Sequence, residues 1–170
     1  MLKMVGSCIV ILTAAYIGAG IAGILRRRVT VLREFQTALE LMEREMNYTG
    51  TAMPELLELL ANRIEAPVGS FFRRCGGKLD RLDQHGFGAV WRGELAGSEL
   101  LLKDEEREVI ERLGDVLGRY DGEGQCAAIA RVRLELADQQ RKAEEDRQRL
   151  SRVYQAVSVG AGVMLVILLL

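Results

Sequence analysis

Residues 4–25 read MVGSCIVILTAAYIGAGIAGIL, and this apolar run contains no charged side chain. At about 1.5 Å of rise per helical residue it is about 33 Å long, enough to cross a hydrocarbon core about 30 Å thick. A second uncharged run, VYQAVSVGAGVMLVILLL at residues 153–170, spans about 27 Å and is only just long enough. All acidic residues lie between the two runs. The sequence therefore predicts transmembrane helices at 1–25 and 153–170 around a soluble domain at 26–152.

Basic side chains crowd the inner ends of both apolar runs. They are Arg26, Arg27 and Arg28 after the first run and Arg141, Lys142, Arg147, Arg149 and Arg152 before the second. Because cytoplasmic flanks of transmembrane helices are enriched in Lys and Arg, the domain between them is expected to face the cytoplasm. The competing interpretation is a cleaved signal peptide with Gly20-Ile21-Ala22 as a passable cleavage site. The arginines after the run and the second apolar segment argue against it.

The central residues offer little chemistry. Acidic and basic side chains interleave and the formal net charge is −1, so there is no basic face for nucleic acid. Cys8, Cys75 and Cys126 are odd in number and far apart, which excludes a disulfide framework or a metal motif. The single histidine, His85, is expected to be an ordinary surface side chain. No catalytic, cofactor or metal site is predicted, and the chain is expected not to be an enzyme.

Apolar side chains at spacings of three and four predict an all-α helical bundle. The first helix continues from the apolar run and carries Leu32, Phe35, Leu39, Met42 and Met46. Pro54 opens a second helix that extends to about Ile64, and Pro67 opens a third in which Gly76-Gly77 allows a break. A short helix is expected between His85 and Ser98.

The last two helices are predicted from their buried stripes and from the turn between them. One begins at Lys103 and ends at Gly118, a residue suited to a left-handed helix stop. The other begins after Asp121, the candidate N-cap, with Gln125 able to reach free backbone groups. It contains no breaker before Gly160, so it is expected to continue into the second apolar run. Its apolar residues keep near-heptad spacing, at Ile129, Val132, Leu136, Ala143, Leu150 and Val153.

Two local patterns carry a family resemblance. The first lies in residues 38–48, ALELMEREMNY, where two glutamates, an aliphatic residue and a tyrosine are matched by Glu43, Glu45, Met46 and Tyr48. The second lies in residues 113–125, LGDVLGRYDGEGQ, and is matched by Gly114, Leu117, Gly118, Asp121 and Gln125. Together with the terminal apolar runs and the length, they make the chain resemble the stage III sporulation protein AB family of endospore-forming bacteria. The usual proline after Thr51 is Ala52 here.

The resemblance implies a function that the residues alone do not. The family is similar in its soluble part to the F-type platform proteins of type II secretion and type IV pilus machines, which couple an ATPase to a membrane apparatus. Its members are expected in the mother-cell membrane around the forespore, with the soluble domain facing the cytoplasm. There they are structural components of the channel complex between the two cells. The implied partners are the secretion-type ATPase stage III sporulation protein AA, other stage III sporulation channel proteins and membrane lipid.

Glu43, Glu45 and Tyr48 are the candidate partner-binding residues, because two carboxylates beside an apolar stripe can offer charge to a partner. The plain alternative is a solvated helix face with Tyr48 covering the core. Gly114, Leu117, Gly118, Asp121 and Gln125 are expected to maintain the fold. A second function remains open, a membrane-tethered adaptor or sensor that dimerises through its final helix, with Gln139 and Asp146 paired across a symmetric interface. A membrane-bound enzyme would need a pocket joining His85 or Cys126 to several carboxylates.

Overall fold

The structure is a computed structural model that describes residues 2–79, 86–117 and 122–169, with side chains described chiefly between 20 and 160. It contains six helices, α1 (Leu2–Tyr48), α2 (Met53–Arg63), α3 (Val68–Gly76), α4 (Gly86–Ala96), α5 (Asp104–Val116) and α6 (Gly122–Leu169). No strand occurs within the described ranges, which confirms the all-α prediction.

Helix boundaries follow the breakers in the sequence. α1 ends at Tyr48, and Gly50, two residues later, has φ +61°, a left-handed conformation that glycine adopts without steric cost. Pro54 lies in the first turn of α2, where its missing N–H leaves no helical hydrogen bond unmade. α3 ends at Gly76, so the glycine pair ends the helix. The short helix expected between His85 and Ser98 is α4.

α5 ends at Val116, and its C-cap Leu117 has an extended backbone with φ −62° and ψ 122°. The predicted stop glycine, Gly118, is the next residue in the sequence, the position at which such a glycine follows a C-cap. The Leu117 N–H still donates to the Leu113 carbonyl at 3.0 Å, which closes the last turn. Gly118 and Asp121, the predicted helix stop and N-cap, lie outside the described residues.

The chain divides into two compact units, which we call the terminal unit (Met1–Arg27 with Lys142–Leu170) and the central unit (Arg28–Arg141). α1 and α6 contribute residues to both units. Over the residues that the structure describes, no helix has a stretch long and apolar enough to cross a membrane. The transmembrane helices at 1–25 and 153–170 and the boundaries of the soluble domain at 26–152 stay predictions.

Four buried aromatic rings form the centre of the core in the central unit. Phe35 of α1 packs against Phe71 of α3 with ring centroids 5.8 Å apart, and Phe71 meets Trp91 of α4 edge-on at 4.7 Å. Phe72 contacts all three rings. The Trp91 indole N–H donates to the Ile110 carbonyl at 2.8 Å, so the largest core side chain also joins α4 to α5.

Most residues of the near-heptad apolar stripe of α6 are buried by other parts of the same chain. Ile129, Val132 and Leu136 are buried in the central unit, and Ala143 is buried in the terminal unit. Val153, the last residue of the stripe, is 49% exposed. The periodicity of α6 therefore reports packing within this chain over most of its length.

Candidate functional site

Glu43, Glu45 and Tyr48 lie in the last turns of α1, but they do not form one surface. Residues three apart on a helix are neighbours, whereas residues two apart point in different directions. Glu45 and Tyr48 therefore share a side of α1, and Glu43 faces elsewhere. The structure brings together two of the three predicted residues.

Glu43 faces α6. Its Oε2 atom lies 3.4 Å from Nη2 of Arg133, and its side chain is 25% exposed. The negative charge of Glu43 also contributes, after burial as the larger cause, to a raised pKa of the Cys126 thiol near the start of α6. Glu43 thus joins the end of α1 to α6 and is committed to a contact within the domain.

Glu45 and Tyr48 make no described contact with another helix. The Glu45 carboxylate accepts a hydrogen bond from the Thr49 hydroxyl at 3.3 Å and lies 3.8 Å from the Arg44 guanidinium, both within the end of α1. The Tyr48 side chain is 87% exposed. The interpretation in which Tyr48 covers the core is therefore wrong. We call Arg44, Glu45 and Tyr48 the α1-end surface.

The second family pattern has a structural role that spacing did not reveal. A Cβ atom on Gly114 of α5 would lie 2.3 Å from Cγ and Cδ1 of Trp91, closer than real side-chain contacts allow. Gly114 is therefore what lets α5 approach the indole ring whose N–H donates to Ile110. Leu117 is buried, and Gln125 is partly buried near the start of α6. Gly114 and Leu117 thus take part in the packing of the central unit, and fold maintenance by the whole pattern stays a prediction.

A shallow groove of about 520 Å³ separates α5 from α6 on another side of the central unit. Small residues of α6, among them Ala127 and Ala128, form much of its wall, and Arg112 and Glu135 form an ion pair at its edge. Arg131 also pairs with Glu135, at 3.3 Å. The groove is mixed in charge and open to solvent, so it does not select one kind of ligand.

The sequence analysis missed a buried ion pair. Arg28 Nε lies 2.8 Å and 3.1 Å from the two carboxylate oxygens of Glu106, and Arg28 Nη2 lies 2.5 Å from Oε1. Arg28 is 6% exposed and Glu106 is fully buried. Glu106 Oε2 also accepts the backbone N–H of Lys103 at 2.8 Å, at the start of α5. One carboxylate therefore stabilises both the helix start and a cation buried on α1.

The signal for this pair was present in the apolar stripes. Arg28 lies four residues before Leu32, and Glu106 lies four residues before Ile110, so each charge continues a buried stripe by one turn. When two opposite charges each lie one turn beyond a buried apolar stripe, they indicate a buried ion pair. Taken alone, Arg28 belongs to the basic flank of the first apolar run, and Glu106 belongs to the acidic first turn of α5, where negative charge suits the helix dipole.

Two further titratable groups among the described residues, Glu94 and Cys75, have shifted pKa values. Glu94 lies 2.9 Å from Arg74 and also pairs with Lys78, whose hydrogen bond is the largest cause that lowers the pKa of the Glu94 carboxyl. Burial raises the pKa of the Cys75 thiol to about 12, and the nearby Glu94 charge adds to this. Cys75 is therefore a buried thiol unsuited to nucleophilic attack. Among the described residues, no three His, Cys, Asp or Glu side chains are placed to hold a metal ion. His85 lies outside them.

Comparison with known proteins agrees with the two patterns. The chain matches the family model described as Stage III sporulation protein AB over residues 3–170. It is 26% identical over 172 residues to the Stage III sporulation protein AB of Bacillus subtilis (strain 168), with 100% of both chains covered. Its fold is similar to a solved structure of Stage III sporulation protein AB (SpoIIIAB), with a TM-score of 0.66, 25% identity, and 72% of this chain and 98% of that chain covered. The resemblance is confirmed.

Proposed function

The chain belongs to the stage III sporulation protein AB family, which supports a role in sporulation, and from that premise we propose that it is a membrane-anchored assembly protein of the channel complex between mother cell and forespore. In this proposal the central unit docks the secretion-type ATPase stage III sporulation protein AA at the α1-end surface. The role is structural, and the partner supplies the ATP hydrolysis.

The exposure of Tyr48 is the observation that carries the docking proposal. A tyrosine that is 87% exposed leaves most of its apolar ring in water, so the ring contributes little to the stability of the domain. Tyrosine is among the residues enriched in protein interfaces and in their energetic centres. Because Tyr48 belongs to the pattern that carries the family resemblance, a partner that covers the ring gives it a function.

The charges beside Tyr48 support the same assignment. Among the described residues, Glu45 contacts Thr49 at 3.3 Å and Arg44 at 3.8 Å, both at the end of its own helix, so a partner cation can approach the carboxylate without breaking a described contact between helices. Glu43 has a different role in this proposal. Its contact with Arg133 holds the end of α1 against α6 and so positions the neighbouring surface.

The membrane part of the proposal rests on the sequence. The uncharged runs at 4–25 and 153–170 provide the two transmembrane helices, and the arginines at their inner ends orient the domain towards the mother-cell cytoplasm. A cytoplasmic domain would place the α1-end surface in the same compartment as an ATPase. Membrane lipid is the remaining partner of this arrangement.

Dimerisation through the final helix is less well supported. The stripe that would form a symmetric interface has Ile129, Val132 and Leu136 already buried within the chain. Leu134, which is 71% exposed, lies on another face of α6 and is a single large apolar side chain. An adaptor that dimerises through this stripe would have to unpack its own core first.

Co-purification from sporulating cells tests the docking proposal. We expect Glu43→Lys with Glu45→Lys to abolish recovery of stage III sporulation protein AA and to block sporulation, while helical content stays close to wild type. Thermal unfolding should stay close to wild type in Glu45→Lys alone and fall in Glu43→Lys, which sets a second cation against Arg133. Separate variants assign the effect, because Glu45→Lys acts on the surface and Glu43→Lys acts on the contact with Arg133. Glu40→Lys, an exposed charge reversal on the same helix, is the matched control. Normal binding and sporulation in the double variant would refute the assignment.

A further inference from the structure

The linker between α4 and α5, residues 97–103, contains a run of apolar residues. It reads GSELLLK, with three consecutive leucines at 100–102. Connections between helices normally lie on the surface and are built from polar and turn-forming residues. Leu100 is buried with 4% exposure, whereas Leu101 is 39% exposed. The linker therefore places one leucine in the core and leaves the next one outside it.

A tight turn places Leu101 at the tip of this linker. The Leu102 N–H donates to the Leu100 carbonyl at 2.9 Å, a hydrogen bond between residues two apart that is typical of a γ-turn. Leu101 is the central residue of that turn. The Lys103 N–H donates to the Glu106 carboxylate at 2.8 Å, so the linker is fixed to the first turn of α5 directly after the tip.

The Glu106 carboxylate also fixes the position of the linker along α1. Its two oxygens accept hydrogen bonds from Arg28 Nε at 2.8 Å and 3.1 Å. Arg28 lies three residues after Leu25, the last residue of the first apolar run, and three residues reach at most about 11 Å. The first turn of α5 therefore lies close to the level at which the predicted membrane segment ends.

α5 extends away from that level. Ile110, one turn after Glu106, accepts the indole N–H of Trp91 at 2.8 Å, and Trp91 belongs to the same aromatic core as Phe35 of α1. Phe35 lies seven residues beyond Arg28, about 10 Å further along the helix. Both helices therefore run from the ion pair towards the aromatic core, and the linker before α5 lies on the membrane side of the pair.

We propose that the tip of this linker contacts the lipid bilayer, with the Leu101 side chain between the headgroups and the acyl chains of the cytoplasmic leaflet. The proposal rests on the membrane hairpin of the proposed function. An apolar side chain that enters this region leaves water, which is favourable. Besides the two membrane helices, the contact gives the central unit a further attachment that restricts its tilt. Tyr48 of the α1-end surface lies 20 residues beyond Arg28, about 30 Å along α1, and so stays clear of the bilayer.

The charges around the tip indicate an apolar contact and not attraction to anionic lipid. Glu99, Asp104 and Glu105 are exposed and lie within four residues of Leu101. An anionic membrane surface attracts basic segments and repels carboxylates. The contact is therefore expected with a zwitterionic lipid such as phosphatidylcholine, and anionic lipid should not strengthen it.

Quenching of a fluorophore by lipid tests the contact. Leu101→Cys is introduced into the full chain together with Cys8→Ala and Cys126→Ala, labelled, and reconstituted at a low protein-to-lipid ratio into phosphatidylcholine vesicles with or without brominated acyl chains. Cys75 is buried and stays, and the same chain without Leu101→Cys measures its background. We expect brominated lipid to lower the emission from position 101 about twofold, because interfacial apolar side chains lie about 5–10 Å into the boundary between headgroups and acyl chains.

Leu134→Cys is the matched control, because Leu134 is 71% exposed and is therefore more open to its surroundings than Leu101. It follows Arg133, whose guanidinium lies 3.4 Å from Glu43 near the other end of α1. Brominated lipid should leave its emission unchanged. Equal quenching at positions 101 and 134 would indicate unspecific adsorption and overturn the proposal. Quenching at position 101 that requires added phosphatidylglycerol would overturn it as well.

A label at a third position separates this proposal from the membrane hairpin. Ile24 lies in the first apolar run and is 56% exposed, so a label at Ile24→Cys should be quenched at least as strongly as the label at position 101. Absence of quenching at position 24 would contradict the hairpin and the linker contact together. Quenching at position 24 without quenching at position 101 would contradict the linker contact alone.

Discussion

Arg28 and Tyr48 stand at opposite ends of the part of α1 that belongs to the central unit, and their environments are the reverse of what their side chains favour. The charged residue is 6% exposed, and the aromatic residue is 87% exposed. Arg28 is buried because Glu106 supplies two carboxylate oxygens within hydrogen-bonding distance. Tyr48 is exposed because none of the described helices covers its side of α1. The first residue serves the fold, whereas the second is available to a partner.

Removing the charge of Glu106 should have the largest effect on stability. Glu106→Gln removes the negative charge that faces the buried Arg28 guanidinium, and breaking a buried pair in this way costs about 3–5 kcal/mol. Denaturant unfolding of the full chain in detergent measures the loss. Glu105→Gln is the matched control, because Glu105 is the exposed neighbour in the same helical turn, and its cost should stay within about 0.5 kcal/mol. Equal costs for the two variants would show that Arg28 does not depend on Glu106.

The double variant Arg28→Met with Glu106→Met sharpens this prediction. Replacing both partners removes the uncompensated charge, so the protein should be more stable than with Glu106→Gln alone. The cap on the Lys103 N–H is lost in the double variant, whereas the glutamine amide oxygen can keep it, so a more stable double variant cannot owe its gain to the cap. A double variant less stable than the single one would assign a main role of Glu106 to the cap.

Enlarging Gly114 should have the next largest effect. Gly114→Ala places a methyl group 2.3 Å from the Trp91 ring, and overpacking of this kind typically costs about 1–3 kcal/mol. Gly93→Ala on α4 is the matched control, because nothing lies within 4 Å of its Cβ position and alanine favours a helix by up to about 1 kcal/mol. Thermal unfolding should therefore shift down for one variant and stay or rise for the other. A tolerated Gly114→Ala would show that α4 and α5 can move apart freely.

Glu94 should give a smaller effect that depends on pH. The hydrogen bond from Lys78, followed by that from Arg74, lowers the pKa of the Glu94 carboxyl in the folded state. Its stabilisation is therefore fully present above the unfolded-state pKa and is lost as pH falls through the lower folded-state pKa. Since both cations are about half exposed, we expect Glu94→Gln to cost about 1 kcal/mol near neutral pH. The gap from wild type should close under acid, and a gap independent of pH would contradict this.

The periodicity of apolar residues predicted the helices well, because burial of one face is what that pattern measures. α2, α4 and the continuity of α1 and α6 follow from Pro54, from the glycines around Trp91 and from the lack of breakers. α5 ends at Val116 with the extended, buried Leu117 as its C-cap, so the predicted stop glycine is the residue that follows the cap.

Features that join two distant segments could not be predicted from either segment alone. The pairing of Arg28 with Glu106 joins residues that are 78 positions apart, and each taken alone resembles an ordinary flank or cap charge. The Gly114 position is likewise explained by Trp91 on another helix. Within the candidate site, helix geometry already separates Glu43 from Glu45. Only the contact with Arg133 shows which of the two faces α6.

The most direct test of the docking account is a binding titration with purified stage III sporulation protein AA and the full chain in detergent. Glu45→Lys with Tyr48→Ala should raise the dissociation constant about tenfold or more, because an exposed tyrosine at the centre of an interface is a typical energetic anchor. Glu40→Lys should bind as the wild type does, and all three proteins should unfold at nearly the same temperature. Equal affinities for the three proteins would contradict the account and leave Tyr48 as an exposed side chain without a partner.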